Sequence, residues 1–247
     1  MIQYLSMEKQ WKKLLDYLVC NKPETGLDSE FTGVEFRVGQ SCPDKARIHV
    51  WSLAVADGGF SPRGYNTARG VVLPKRAIPF FRDYFESKDI VKYAHNSPVD
   101  VHSFYNDGVD VLGVINTLSL ARWVFPQRLK QSLDSLANDY LGKGKFISFK
   151  DLVSVPAYVE KEVEVKYCDC GQSKCRRRKG HTKTVKTEMV TVEKGKTEIP
   201  LDSIIPGHDK WETLVEYAGQ DAVMALELAD YLNRVARKKD IEIPWLK

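Results

Sequence analysis

Residues 26–31 read Gly-Leu-Asp-Ser-Glu-Phe, a run in which two acids alternate with small or apolar residues. Because successive side chains of a strand point to opposite faces, a strand here directs Asp28 and Glu30 to the same face. Leu27 and Phe31 flank the acids, which places them at the end of a buried strand. Two carboxylates on one face repel each other unless a cation lies between them, and a solvated strand edge is the alternative interpretation.

The hydrophobic pattern around this strand predicts an α/β domain. Early adjacent strands are followed by alternating strands and helices, which is typical of a mixed sheet. Further strands are predicted at 46–56, 89–94 and 111–115, with a loop at 57–75. Helices are predicted at 7–19 with Ser6 as the cap, and at 76–87, 99–105, 118–124, 133–141 and 211–235.

The composition is that of a folded protein with a modest positive charge. The 247 residues are 43% hydrophobic and 28% charged, with a formal net charge of +4. These values exclude a chain that is disordered along its whole length, and they fit one large domain or two small ones. No apolar run approaches the ~20 residues that cross a bilayer, and the N-terminus lacks a signal-peptide pattern. We therefore expect a cytoplasmic protein without a membrane partner.

Two further groups of polar residues follow in the chain. Asp100 lies in the first turn of the helix after residues 95–98 (His-Asn-Ser-Pro), where the helix dipole alone favours an acid. Tyr217 and Asp221 are four residues apart in a predicted helix, so they share one face. Gly219 between them costs about 1 kcal/mol relative to Ala. That cost indicates a close approach to the helix at this point, and a local bend is the alternative.

Together these residues resemble the three exonuclease motifs of the DnaQ-like (DEDD) 3′–5′ exonucleases. The motifs here read Asp28-x-Glu30 before Phe31-Thr32-Gly33, then His95-Asn96-x3-Asp100, then Tyr217-x3-Asp221-Ala222. The Tyr-x3-Asp form resembles the DEDDy branch, which includes the proofreading domains of family-A DNA polymerases and RNase D. Segments 116–122 and 132–142 are also similar, so the resemblance covers residues 24–150 and 208–235. Asn116 stands where relatives often have Asp, but it is not one of the four metal-site acids.

The resemblance implies an RNase H-like fold, a mixed five-stranded sheet flanked by helices, with two catalytic Mg²⁺ or Mn²⁺ ions. Two such ions ~3.5–4 Å apart activate a water and stabilise the leaving 3′ oxygen. By resemblance, Asp28 bridges both ions, Glu30 and Asp221 complete the first site, and Asp100 supports the second. Tyr217 orients the attacking water, because a phenol with a pKa near 10 is poorly suited to full proton abstraction.

Positive charge is concentrated in residues 161–197, where eleven Lys and Arg face five Asp and Glu, a local net charge of +6. A composition shift of this kind marks an inserted module. We therefore predict an exonuclease domain made of residues 1–157 and 198–247. Residues 158–197 are predicted to form an inserted basic β-hairpin, because residues near both of its ends are β-prone.

Three of the five cysteines lie close together in this insert. With a following histidine they form the pattern Cys168-x-Cys170-x4-Cys175-x5-His181. Three thiolates and an imidazole are a complete tetrahedral set for a structural Zn²⁺. A metal would staple a hairpin that is too small to bury a core of its own. Three incidental thiols are the alternative.

Several residues are candidates for contacts with nucleic acid. Arg176, Arg177, Arg178 and Lys179 follow the third cysteine, and such a cationic run binds phosphates without reading bases. A solvated hairpin tip is the alternative for this run. By the family resemblance, Asn96 supports the second motif and contributes to nucleic-acid binding.

These features predict a free-standing 3′–5′ exonuclease that shortens DNA from a free 3′ end to nucleoside 5′-monophosphates. Single-stranded or frayed ends are the expected substrate. Proofreading for a separate DNA polymerase during DNA replication, in a bacterial or phage-infected cell, is the expected context, since little chain follows the last helix. An RNase D-like RNA exonuclease is the second hypothesis. The third is a nucleic-acid-binding module without turnover, which four clustered carboxylates near phosphate disfavour.

Overall fold

The computed structural model describes residues 2–32, 35–37, 40–42, 45–168 and 183–244. The chain divides into two compact units, one made of Met1–Ser148 and Pro200–Lys247, the other of Phe149–Ile199. The first unit contains a mixed sheet and most of the helices, and the second contains a short helix and a long hairpin. The predicted insert, 158–197, lies within the limits of the second unit.

Eight strands of the first unit are described. In chain order they are β1 (Ile2–Tyr4), β2 (Thr25–Thr32), β3 (Glu35–Arg37), β4 (Gln40–Cys42), β5 (Arg47–Phe60), β6 (Asn66–Pro74), β7 (Lys92–Ala94) and β8 (Val114–Asn116). Six of them form one sheet in the order β1-β6-β5-β2-β7-β8, and β3 pairs with β4 separately. β5 is antiparallel to both of its neighbours, whereas the outer pairs β1·β6, β2·β7 and β7·β8 are parallel.

The sheet has six strands, not the five predicted, and the predicted loop at 57–75 is wrong. β5 continues to Phe60, and β6 covers much of the remaining stretch. Gly70 and Pro74 resemble strand breakers in the sequence. Pairing with β5 on one side and β1 on the other outweighs that weak local preference. β1 is only three residues long, too short for a period-two pattern to reveal it.

The α-helices of the described chain are α1 (Glu8–Asn21), α2 (Arg82–Phe85), α3 (Pro98–Asn106), α4 (Thr117–Val124), α5 (Leu133–Leu136), α6 (Phe149–Leu152) and α7 (Trp211–Lys238). A π-helical turn, Ala137–Leu141, continues α5. The predicted helix at 76–87 is mostly 3₁₀, Lys75–Phe81, because Pro79 inside it has no N–H to donate. Met7, not Ser6, is the N-cap of α1, and its N–H donates to Gln10 Oε1 at 3.2 Å. None of the described helices combines the length and apolarity needed to cross a membrane.

Helices cover both faces of the six-stranded sheet. On one face, the ring of Trp51 contacts Phe81, Phe85 and Phe104 at centroid distances of 5.2, 5.0 and 6.3 Å. This aromatic cluster joins α2 and α3 to the sheet, and α1 packs against the same cluster. On the other face α7 packs against the sheet, with α4 and α5 beside it. The sheet is therefore the middle layer of three.

The second unit is an antiparallel hairpin preceded by α6. β9 (Ser154–Cys168) pairs with β10 (Lys183–Glu198), and the register shifts once, between Glu193 and Gly195. Within this unit Lys196 forms a 3.0 Å ion pair with Asp151, with both side chains largely exposed. An exposed pair of this kind adds less than about 1 kcal/mol, so it contributes little to the stability of this unit.

Candidate active site

The site begins where α7 crosses β2. A Cβ on Gly26 would lie 2.0 Å from the carbonyl oxygen of Ala222, so only glycine permits this approach. On the neighbouring strand β5, the hydroxyl of Ser52 donates to the carbonyl oxygen of Ala218 at 2.8 Å. Ser52 is paired with Asp28 in the ladder, so both face the same way. α7 therefore lies over the face of β2 that carries the two predicted acids.

The close approach predicted at Gly219 is made by β1. A Cβ at this position would lie 2.4 Å from Cγ2 of Ile2. The short N-terminal strand thus packs directly against the helix turn that separates Tyr217 from Asp221. The glycine fixes the depth at which that turn sits against the sheet.

Three carboxylates meet at this crossing. One oxygen from each of Asp28, Glu30 and Asp221 lies within 4.8 Å of the others. Glu30 and Asp221 are buried, and Asp28 is partly buried. Among the described residues, Asp28 Oδ2 and Asp221 Oδ1 are buried oxygens with no hydrogen-bond partner. Unpaired buried carboxylate oxygens are costly, and hard divalent cations are bound by such oxygens. The donor set therefore fits Mg²⁺ or Mn²⁺.

Burial and mutual repulsion disfavour the charged forms of these acids. Burial, followed by the charge of Asp221, raises the pKa of Glu30 to about 8. Burial also raises the pKa of Asp28 well above its usual range, with Asp221 and Glu30 adding to the shift. The pKa of Asp221 is raised by burial, although the Lys145 ammonium opposes that shift. Either protons or a cation would relieve this repulsion, and strongly shifted acids of this kind are typical of functional sites.

Asp100 lies at the N-terminal end of α3, outside the group of three. The backbone N–H and the hydroxyl of Ser29 both donate to its Oδ1, at 3.1 and 2.6 Å. Burial raises the pKa of Asp100 to about 7, and these hydrogen bonds oppose the shift. Since Asp221 also adds to the shift, Asp100 belongs to the same electrostatic neighbourhood as the other acids.

Tyr217 lies one helical turn before Asp221 and is buried. Lys145 reaches both of them: its Nζ donates to Tyr217 Oη at 2.7 Å and to Asp221 Oδ2 at 2.5 Å. Burial raises the pKa of Tyr217 above its usual value, with Glu30 and Asp221 adding to the shift. Sequence reasoning missed Lys145, because no motif spacing or periodicity distinguishes it from the other exposed-looking lysines.

The second motif is held by hydrogen bonds around Asn116. Its side-chain oxygen accepts from the N–H of Leu118, which caps α4, and from the N–H of Asn96 at 3.1 Å. Asn96 is exposed and has a φ of 59°, a left-handed conformation that Asn tolerates better than most residues. His95 contacts Thr117 at 2.9 Å and the carbonyl oxygen of Gln131 at 3.0 Å. The amide oxygen of Asn116 therefore has a structural role, since it joins the second motif to the start of α4.

The remaining predicted site residues lie in the insert. Cys170, Cys175 and His181, and the cationic run Arg176, Arg177, Arg178 and Lys179, fall outside the described residues. Cys168 is the last described residue of β9, but its side chain is not described. The zinc site and the phosphate contacts of the insert therefore remain predictions.

A protein-family model described as 3′–5′ exonuclease matches residues 3–155, more than half of the chain. That stretch includes Asp28, Glu30 and Asp100, while Tyr217 and Asp221 lie beyond it. No curated protein sequence matches the chain significantly.

Several solved structures have a similar fold. Escherichia coli RNase D, an exoribonuclease involved in structured RNA processing, is 14% identical with a TM-score of 0.57, over 97% of this chain and 46% of its own. Brucella melitensis NrnC is 11% identical with a TM-score of 0.56, over 97% and 83%, and another NrnC structure contains bound Mg²⁺. The POL domain of Pol1 from M. smegmatis, in complex with DNA primer-template and dNTP, is 14% identical with a TM-score of 0.56, over 97% and 28%. At these identities the likeness concerns the fold.

Proposed function

Since the chain belongs to the 3′–5′ exonuclease family, we propose that it hydrolyses DNA from a free 3′ end and releases nucleoside 5′-monophosphates. The observation that carries this proposal is the group of three carboxylates within 4.8 Å, two of whose buried oxygens have no hydrogen-bond partner among the described residues. A protein that only binds nucleic acid gains nothing from concentrating negative charge where phosphate must approach.

We further propose that Asp28, Glu30 and Asp221 hold divalent cations, with Asp100 supporting the second ion through water. Two Mg²⁺ or Mn²⁺ ions bound here would supply charge neutralisation and an activated water for phosphodiester hydrolysis. The protein's own contribution is to keep these carboxylates close together in a mostly buried site, so that the site is organised before substrate arrives.

Tyr217 is proposed to orient the attacking water. Its raised pKa keeps the phenol protonated at neutral pH, so it can donate a hydrogen bond but cannot serve as a ready base. Asn96, exposed beside the start of α3, is proposed to contact the nucleic acid, together with the cationic run of the insert.

An RNA substrate is the second candidate. It is favoured by the likeness to RNase D, which is described as an exoribonuclease. The likeness to a polymerase chain bound to DNA primer-template supports DNA instead. We propose DNA, with a separate polymerase as the partner of a proofreading reaction, and with single-stranded or frayed ends as the substrate.

The test uses 5′-labelled and 3′-labelled DNA and RNA oligonucleotides of one sequence, incubated with Mg²⁺ or Mn²⁺. Stepwise shortening of 5′-labelled DNA, with early loss of label from 3′-labelled DNA, supports the proposal. If RNA is shortened faster than DNA, RNA takes the place of DNA as the proposed substrate. Degradation of neither polymer would refute an exonuclease and favour the binding module. The Asp28→Asn variant controls for contaminating nucleases, and zinc measured on the same preparation tests the insert.

A further inference from the structure

Lys145 lies in the site although it belongs to none of the three motifs. Its side chain is mostly buried, at 22% exposure, and its ammonium contacts Tyr217 Oη at 2.7 Å and Asp221 Oδ2 at 2.5 Å. Tyr217 and Asp221 are one turn apart on α7, so a single cation joins both groups of the third motif.

The contact gives the two oxygens of Asp221 different environments. Oδ2 is bound to Lys145, whereas Oδ1 is buried and has no hydrogen-bond partner among the described residues. Fixing Oδ2 prevents rotation of the carboxylate and leaves Oδ1 for the proposed cation. The phenol is constrained in the same way: because Lys145 donates to Oη, the hydroxyl proton of Tyr217 must point elsewhere.

The segment that carries Lys145 is itself fastened to the fold. Gln220 Nε2 donates to the carbonyl oxygen of Gly144 at 2.9 Å, and the Lys145 N–H donates to Asp134 Oδ1 at 2.8 Å. Lys143 pairs with the buried carboxylate of Glu227 at 2.7 Å. These contacts hold the backbone that leads into Lys145, so the ammonium is placed with little further loss of conformational freedom.

We propose that Lys145 is a positioning residue of this exonuclease site, which fixes the Tyr217 phenol and the Asp221 carboxylate in one mutual orientation. The proposal rests on the function proposed above for those two residues. The competing role is direct contact with a phosphate of the substrate. A phosphate contact would act independently of Tyr217, whereas a positioning residue acts in part through it, and this difference can be measured.

The experiment is a double-mutant cycle of Lys145→Met, Tyr217→Phe and the double variant, with Lys12→Met as the control. Lys12 is an exposed lysine of α1, so its variant loses the same charge away from the site. Single-turnover cleavage of a 5′-labelled oligonucleotide gives the rate. The Kd for the same oligonucleotide is measured in Ca²⁺ at several salt concentrations. Thermal unfolding in EDTA and in Mn²⁺ supplies a readout that is independent of turnover.

Lys145→Met is expected to slow cleavage about 10²-fold through loss of orientation, with an unchanged Kd and salt slope. The double variant should be slower than Tyr217→Phe alone, because the contact with Asp221 is also lost. It should nevertheless be clearly faster than the product of the two single losses, because both single variants remove the same Lys145–Tyr217 contact. In EDTA, Lys145→Met should unfold at a lower temperature than Lys12→Met, and Mn²⁺ should raise its Tm more than it raises the wild-type Tm, because Asp221 has lost its counter-ion.

Multiplying losses in the double variant, with a weaker Kd and a shallower salt slope, would overturn positioning in favour of a phosphate contact. If Lys145→Met cleaves at the wild-type rate, the contact is only a structural salt bridge, and positioning is excluded. These results presuppose an active wild-type protein. A wild-type protein that degrades neither polymer would refute the proposed function, and the role of Lys145 with it.

Discussion

Replacing Glu30 by Gln is expected to stabilise the metal-free protein, although it removes a carboxylate from the proposed active site. Burial, followed by the charge of Asp221, raises the pKa of Glu30 from 4.5 to about 8. At pH 7.5 this difference amounts to about 4 kcal/mol of stability that a glutamate loses and an isosteric amide keeps. For a chain of this size the gain corresponds to a rise in Tm of about 10 °C.

The stability of the metal-free protein is also expected to depend on pH. Because the folded-state pKa of Glu30 exceeds its unfolded value, its contribution to stability is complete below pH 4.5 and is lost as the pH rises through about 8. Burial is the main cause that raises the pKa of Asp100 to about 7. The stability that protonated Asp100 contributes is therefore also lost as the pH rises. In EDTA the wild-type Tm should therefore fall between pH 5 and pH 8, and Glu30→Gln should flatten part of that fall.

The assay is thermal unfolding followed by circular dichroism, in EDTA and in Mn²⁺. Glu216→Gln is the matched control, since Glu216 is exposed on α7, and its Tm should stay within about 2 °C of wild type. Mn²⁺ should raise the wild-type Tm and have a smaller effect on Glu30→Gln, since one ligand is missing. A Glu30→Gln protein whose Tm in EDTA at pH 7.5 equals or falls below that of wild type would contradict the raised pKa of Glu30.

Asp221→Asn is expected to abolish cleavage while retaining the wild-type circular dichroism spectrum, and residual activity at the wild-type rate would remove Asp221 from the site. Gly26→Ala should destabilise the fold by about 3 kcal/mol in urea unfolding, because its Cβ would lie 2.0 Å from the Ala222 carbonyl oxygen; an unchanged midpoint would contradict the close approach. Neutralising residues 176–179 should weaken DNA binding and flatten its salt dependence, measured by fluorescence anisotropy, and an unchanged slope would exclude phosphate contacts. Cys175→Ser should reduce bound zinc measured by atomic emission, and wild-type zinc content would exclude this ligand.

Sequence reasoning predicted the parts of the site that follow local periodicity. The period of two in a strand places Asp28 and Glu30 on one face, and the spacing of four in a helix places Tyr217 and Asp221 on another; the structure brings Asp28, Glu30 and Asp221 together. The glycine in α7 also predicted a close contact, although not that Ile2 makes it.

What the sequence did not reveal depends on contacts between distant segments. β6 exists because β5 and β1 pair with it, whereas its own glycine and proline argue against a strand. β1 is too short for any pattern. Lys145 reaches Tyr217 only because the segment after α5 is tied to Gln220 and Asp134. These are tertiary effects, and local propensity carries no information about them.

The crossing of α7 over β2 also has a consequence for biosynthesis. Asp28 emerges from the ribosome before Tyr217 and Asp221, which lie far later in the chain. A nascent or prematurely terminated chain that lacks α7 contains no third motif, so it would be inert towards the cell's own nucleic acids. The active site would be complete only after α7 has been synthesised and has docked against β2, and this slow, non-local docking would set the moment of activation.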